Sequence, residues 1–505
     1  MKKKKDLPVC PMCNENALLE EDVICQDCFD KQFSKEDIAG ARRAAQAAFG
    51  DDSKLELTIY RGSHQVGGTC IEMKSGSSRI LIDLGMPLND KDGKDFLIDP
   101  LKGKKEWDTK DISELKNSGI LPDIKGLYQD DKKDFDAILV SHSHGDHYGL
   151  LHFANPEIPV VMSPGAQRLI ETLNAFVPRQ VLLSNIIPAI HNKDIPIGGF
   201  IVKPYLMDHS AFDARGFFIT EKSTGKTLFY SGDFRATGHK ENAFKMLVDH
   251  PPMKPDYLVL EGTSVGRGEP EFKTEKEAQQ GIREVLKKGP RLVLVACSGQ
   301  NIDRLCSLYA EARRAGYELV IDPYIACVLE NLRDLPYARN IPLLENPGMR
   351  ALIHNYARGD KYVHKIDKDG CKFKPFISTL GRKKIKPRDM GEGKYVVLMR
   401  DGTVPAIKAI PGYKDAFLIY SQWKGYLKKM HMKVTQFISE SGLDKNMKHI
   451  HSSGHAGMAT LQALAAALNP GKIIPVHTER PKEYAELFRP VEILHAIDGK
   501  QVELK

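Results

Sequence analysis

The run Ser141-His-Ser-His-Gly-Asp-His147 follows directly on Ala137-Ile-Leu-Val140. A short apolar run of this kind reads as a buried strand, so the chain must fold with a polar cluster at that strand's carboxyl end. Alternate side chains of extended chain point the same way. His142 and His144 can therefore face one cation, while Gly145 lets the chain turn and present Asp146 and His147 to a second. Imidazoles and a carboxylate are donors that zinc and manganese accept. With 17 histidines among 505 residues, three within six positions is a concentration that background composition does not supply. The spacing reads as a dinuclear metal site.

Four further residues fall beside strand-like runs: Asp83 in Leu81-Ile-Asp-Leu-Gly85, His209 in Asp208-His-Ser-Ala-Phe-Asp213, Asp233 in Tyr230-Ser-Gly-Asp-Phe234 and His477 in Ile473-Ile-Pro-Val-His477. Taken singly, each has a bland reading as a cap or a satisfied polar group. Taken with the cluster they form a ligand set, because α/β sheets gather their sites at the carboxyl ends of strands.

A chain of 505 residues is expected to hold two or three domains. No uninterrupted apolar segment is long enough to cross a bilayer, and Met1-Lys-Lys-Lys-Lys5 lacks the apolar stretch of a signal peptide. The expected location is the cytoplasm, with no membrane partner. The net charge of +7 leans towards polyanionic partners.

Residues 1–33 carry two knuckles, Cys10-Pro-Met-Cys13 and Cys25-Gln-Asp-Cys28. Two such pairs close a four-thiolate tetrahedral site, so one structural zinc is expected in a ribbon-like module available to a protein partner. Residues 34–54 read as a connecting helix opened by Ser34 and stopped by Gly50. Alternating strands and helices begin at Leu55, interrupted by Lys91–Lys133, which reads as a charged surface excursion. A capping box at Thr274-Glu-Lys-Glu277 opens a further α/β region, with a strand at Arg291–Ala296, a helix from Asn301 and a strand at Glu318–Ile321. Histidines return after Val434. This order suits a domain inserted between two halves of another.

These motifs resemble those of the metallo-β-lactamase superfamily and, within it, the β-CASP nucleases of the ribonuclease J type. The resemblance covers roughly residues 55–505. It implies an αββα sandwich built from 55–267 and 431–505, with a β-CASP domain inserted at 268–430. Residue by residue, it implies that Asp83 supports the ligands from behind. One metal takes His142, His144 and His209, the other takes Asp146, His147 and His477, and Asp233 bridges them; both ions are zinc or manganese. Glu261 in Leu258-Val-Leu-Glu261 is the acidic residue after the next strand. His455, in His451-Ser-Ser-Gly-His455, protonates the departing oxygen or stabilises the phosphorane.

The implied activity is a ribonuclease, cutting endonucleolytically, 5′→3′ exonucleolytically, or both. Two metals activate a hydroxide that attacks phosphorus, leaving 5′-phosphate and 3′-hydroxyl ends. His451, Ser453 and Gly454 lie in a small-residue loop whose N–H groups can hold a phosphate. Ser298 and Asn301, at a strand-to-helix turn, are either phosphate contacts or part of a plain helix cap. Arg382-Lys-Lys-Ile-Lys-Pro-Arg388 is either a backbone-tracking patch or a solvated loop.

Two features depart from the resembled family: Thr478 follows the last histidine where that family carries glycine, and the four-cysteine module is extra. Single-stranded RNA is the expected partner. A DNA nuclease is the alternative, a small-molecule metallo-hydrolase the third reading and a non-catalytic scaffold the fourth. Oligomeric state stays open.

Overall fold

The computed structural model describes residues 54–88, 111–177, 181, 183–353, 361–428 and 433–505. The four-cysteine knuckles and the connecting helix lie outside them. Two 7-stranded sheets face one another. The first includes Leu55–Arg61, Cys70–Ser75, Ser78–Ile82, Ala137–Leu139 and Val160–Met162, with Gln501–Glu503 at one edge. The second includes Phe200–Leu206, Arg215–Glu221, Thr227–Tyr230, Tyr257–Glu261 and Lys472–Val476.

The strands are apolar on both faces, and the period of two sorts each residue into a layer. Ile80, Ile82 and Leu139 meet Phe217, Leu228, Val259 and Ile474 in the core between the sheets. Leu81, Ile138 and Val140 point the other way, under a layer that includes Leu115, Tyr148 and Leu151. On the outer face of the second sheet, Phe229 and Leu258 lie under Phe244 and Leu247, from the helix Glu241–Asp249, and under Leu461 and Leu464, from the helix Met458–Leu468. The result is an αββα sandwich.

The excursion before the metal strand is not wholly on the surface. From Asp111 onward it packs: Leu115, Ile120, Leu121, Leu127 and Tyr128 are all buried over the first sheet. Its charged residues hid this, because they lie between apolar residues that face inward.

A third 7-stranded sheet, all parallel, holds Leu292–Ala296, Glu318–Ile321, Tyr395–Met399 and Phe417–Tyr420. Val293 and Val295 bury in one layer, Leu292, Leu294 and Ala296 in the other. Its first helix, Glu275–Lys287, starts at the capping box read from the sequence, with Thr274 accepting from Glu277 N. The sheet extends past residue 430, since Met447–His449 pairs with Phe417–Tyr420 as its edge strand. No helix among the described residues is long and apolar enough to cross a membrane.

Candidate metal centre

Asp83, Ser141, Ser231, Glu261 and His477 sit at or just past the carboxyl ends of strands drawn from both sheets of the sandwich. Asp83 and His477 have positive φ, 58° and 51°. Non-glycine residues in this region cost about 1–3 kcal/mol each and persist where surroundings hold them. The Asp83 carboxylate is held by four contacts from three residues. Its Oδ1 accepts from Ser141 N (2.7 Å), and its Oδ2 accepts from Ser141 Oγ (2.8 Å), Tyr230 OH (2.6 Å) and His147 Nδ1 (2.8 Å). The last contact commits His147 Nδ1, so its Nε2 turns towards Asp233 Oδ2 at 3.0 Å. A carboxylate behind a histidine fixes its tautomer and raises its basicity as a ligand.

The histidines converge. Ring centroids of His142 lie 4.8, 4.0 and 4.6 Å from those of His144, His147 and His209. His209 Nδ1 donates to Gly454 O at 2.5 Å, leaving Nε2 to face His144 Nδ1 at 3.1 Å. Two nitrogens on one tetrahedral zinc, each at 2.0–2.1 Å, are about 3.3 Å apart. On the other side, His477 Nε2 is 3.3 Å from Asp146 Oδ2 and its Nδ1 is 2.9 Å from Thr263 Oγ1. Asp233 lies between, 3.9 Å from His142, 3.5 Å from His477 and 3.7 Å from His455.

Four groups of donors have ligand atoms within 4.8 Å of one another: His142, His144 and His209; His142, His147 and Asp233; Asp146, His147 and His477; and Asp233, Glu261, His455 and His477. The donor set fits cations. His142 Nε2 and Asp233 Oδ1 are buried without a hydrogen-bond partner, a costly arrangement for polar atoms unless something binds them. Burial, reinforced for His142 and His209 by neighbouring histidines, pushes both well below the usual imidazole value and brings His144 to about 4. They are therefore neutral, the ligating form. At Asp146 burial opposes ionisation, but His147 and His477 outweigh it and hold the carboxyl far below its usual value.

His455 stands at the rim, with its side chain 24% exposed. Its Nδ1 is 3.4 Å from Glu261 Oε1, which turns the opposite ring nitrogen away from the carboxylates. Burial disfavours its proton, yet Glu261 and Asp233 prevail and raise its pKa. Glu261 is itself fixed by Thr263 N (2.9 Å) and Ala456 N (3.3 Å). Gly454 has no room for a Cβ, which would lie 2.7 Å from Ser210 Oγ. The loop thus passes close over the His209 segment. Ser453 Oγ accepts from His455 N at 3.0 Å. His451 is largely buried, and burial with Arg304 lowers it to about 3.

Asn301 is the N-cap of the helix Ile302–Arg314, its Oδ1 accepting from Arg304 N at 3.1 Å, and it pairs by a bridge with Ala211 beside His209. Ser298 is exposed on the same turn. The basic run 382–388 runs through Lys384–Ile385, the third sheet's edge opposite Met447–His449. Six strand spacings of 4.7–4.9 Å place it about 28 Å from the histidine loop's edge.

Sequence reasoning missed the ionic knot behind that loop. Arg304 is fully buried; it pairs bidentately with Glu275 (2.7 and 2.9 Å) and donates to Ile450 O, Ser452 Oγ and Ser421 Oγ. Arg235, also buried, reaches Asp303 Oδ2 (2.5 Å) and Ser453 O (3.1 Å). Arg235 directly follows the Gly-Asp-Phe motif, and Arg304 lies within the turn segment singled out as a phosphate contact; those positions were the available signals.

A buried His/Asp donor set where two facing sheets end defines a metallo-hydrolase, and the chain belongs to the metallo-β-lactamase superfamily. Residues 96–285 match the β-lactamase superfamily domain, and residues 444–495 match the Zn-dependent metallo-hydrolase RNA specificity domain. The chain is distantly related to ribonuclease J. It is 22% identical over 373 residues to the Sinorhizobium meliloti protein, covering 71% of this chain and 60% of that one. To the Mycoplasma genitalium protein it is 22% identical over 471 residues, covering 89% of this chain and 70% of that one. A crystal structure of a protein of unknown function from Enterococcus faecalis V583 shares the fold, with a TM-score of 0.67 at 18% identity, over 89% of this chain and all of that one.

Proposed function

We propose that this protein is a metal-dependent ribonuclease. The observation that carries the reading is His455, set on a loop within the region that matches the RNA specificity domain and 5.6 and 5.8 Å, ring to ring, from His209 and His477. In this reading His142, His144 and His209 would hold one zinc or manganese ion and Asp146, His147 and His477 would hold the other, with Asp233 beside both donor sets. Such a pair supplies charge that acidifies a water and neutralises a phosphodiester.

Asp83 orients His147, Thr263 orients His477, and the Gly454 carbonyl orients His209. His455 carries a proton favoured by Glu261 and gives it to the departing 3′ oxygen as water attacks phosphorus in line. The products are a 5′-phosphate and a 3′-hydroxyl. Around this step, Ser453, Gly454 and His451, with Ser298 on the turn capped by Asn301, line the path of the flanking phosphates. A structural zinc on Cys10, Cys13, Cys25 and Cys28 belongs to the same proposal, as a docking module for a protein partner in the cytoplasm. Replacing Cys25 and Cys28 with serine is expected to release that zinc and spare hydrolysis of a short oligonucleotide.

The test is cleavage of matched 5′-labelled single-stranded RNA and DNA, with zinc or manganese, by wild type and Asp146→Ala. RNA cut by the wild type alone supports the reading, and release of labelled mononucleotide rather than fragments marks exonucleolytic action. Equal cutting of DNA makes it a general nuclease. No cutting of either sinks the proposal.

A further inference from the structure

The strand Phe417–Tyr420 runs parallel to Met447–His449, so the turns leaving their carboxyl ends emerge side by side. One turn leads to His451–His455. The other carries Trp423 and Tyr426, which are 49% and 37% exposed and meet edge to face at 5.4 Å. The two turns are tied together, since His449 Nε2 contacts Gln422 O at 2.9 Å. Large aromatics are seldom left in water without a use, and this pair lies on the turn beside the one that leads to His455.

A residue of the sandwich meets the aromatic pair. Arg267, a few residues past Glu261, places its guanidinium 5.7 Å from the Trp423 ring centroid and pairs with Glu479, two residues beyond His477, at 3.6 Å. Gly425 leaves room for the indole to lie against the backbone, because a Cβ there would meet the ring at 2.1 Å. Lys424 and Lys428, both exposed, flank the aromatics.

We infer that Trp423 and Tyr426, with Arg267, form a stacking platform for an unpaired nucleobase next to the scissile phosphate. This rests on the ribonuclease reading and deepens it, since an exposed aromatic pair among cations is what single-stranded nucleic acid binds through base stacking and backbone charge. A base still paired in a duplex has both faces stacked on its neighbours and cannot use the platform.

The chain has 2 tryptophans, so Trp107→Phe leaves Trp423 as the sole indole reporter. In that background the full-length metal-loaded protein is titrated with a cleavage-resistant 2′-O-methyl oligoribonucleotide and with an abasic sugar–phosphate oligomer of equal length. The expected result is quenching by the base-bearing oligomer alone. Separately, by fluorescence anisotropy of labelled oligomers, Trp423→Ala binds the base-bearing one about 5- to 100-fold more weakly with abasic affinity unchanged, and Trp423→Phe recovers most of the loss. Absence of quenching, or equal binding by wild type and Trp423→Ala, overturns the platform. If wild type still cuts RNA in that case, the ribonuclease reading survives it; if wild type neither binds nor cuts, both fall.

Discussion

Asp233 and Arg304 are both buried, ionisable and close to the loop 451–455, yet their surroundings are matched in opposite ways. Arg304 has five N–H donors, and all five are used, on Glu275, Ser421, Ser452 and Ile450 O. Around Asp233, its own Oδ1 and His142 Nε2 are buried without a hydrogen-bond partner. A complementary set of charges closes on itself and fixes geometry. A set of lone pairs aimed at one space is stable only when something positive occupies it. The first region is framework, the second a receptor, and the framework holds the strand and loop that lead to His455.

The strongest way to break the contrast is Asp233→Ala. Because Asp233 reaches histidines of both donor sets, the variant should lose bound metal and all cleavage while keeping its urea midpoint in the metal-free state, as read by metal analysis and unfolding curves. His455→Ala should lower the cleavage rate by roughly 10²–10⁴ with metal content unchanged; equal turnover would remove it from the mechanism. Arg304→Met should cost about 3–5 kcal/mol in urea unfolding, because it strands the buried Glu275 carboxylate, and adding Glu275→Gln should restore part of that.

Acid should act on the same pair. Burial resists ionisation of Glu275, but Arg304 holds it to about 2, below the ordinary 4.5. Its contribution is complete above about 4.5 and disappears as pH falls towards 2; Glu275→Gln should flatten the stability profile across that window. The mildest expected effect is that of Asp83→Asn, about 10- to 100-fold in metal affinity, since it disturbs a ligand's orientation without removing one.

The two regions were unequally legible in the sequence. The receptor could be read because three of its histidines and Asp146 are neighbours in one heptapeptide and the rest end apolar strands. The framework could not, because Arg304 meets residues from three distant segments. Glu275 itself lies in a capping box whose local role, played by Thr274 and Glu277, fully explained the motif. The burial of Leu115 and Tyr128 was concealed by intervening charges, and the basic run 382–388 lies at the edge of the third sheet opposite the histidine loop. Asn301 is the cap that one of its two readings described.

The pairing of Tyr257–Glu261 with Lys472–Val476 has a consequence for synthesis. The ribosome delivers the whole third sheet between these two hydrogen-bonded neighbours. Until Lys472–Val476 emerges, Tyr257–Glu261 is an apolar edge strand with open backbone donors and acceptors, the template on which chains aggregate. The inserted unit, with its parallel strands and local helices, can collapse first and shorten the effective loop that brings the two strands together. A chain stalled between residues 456 and 470 would have all but two of its 17 histidines and no closed sandwich to hold them.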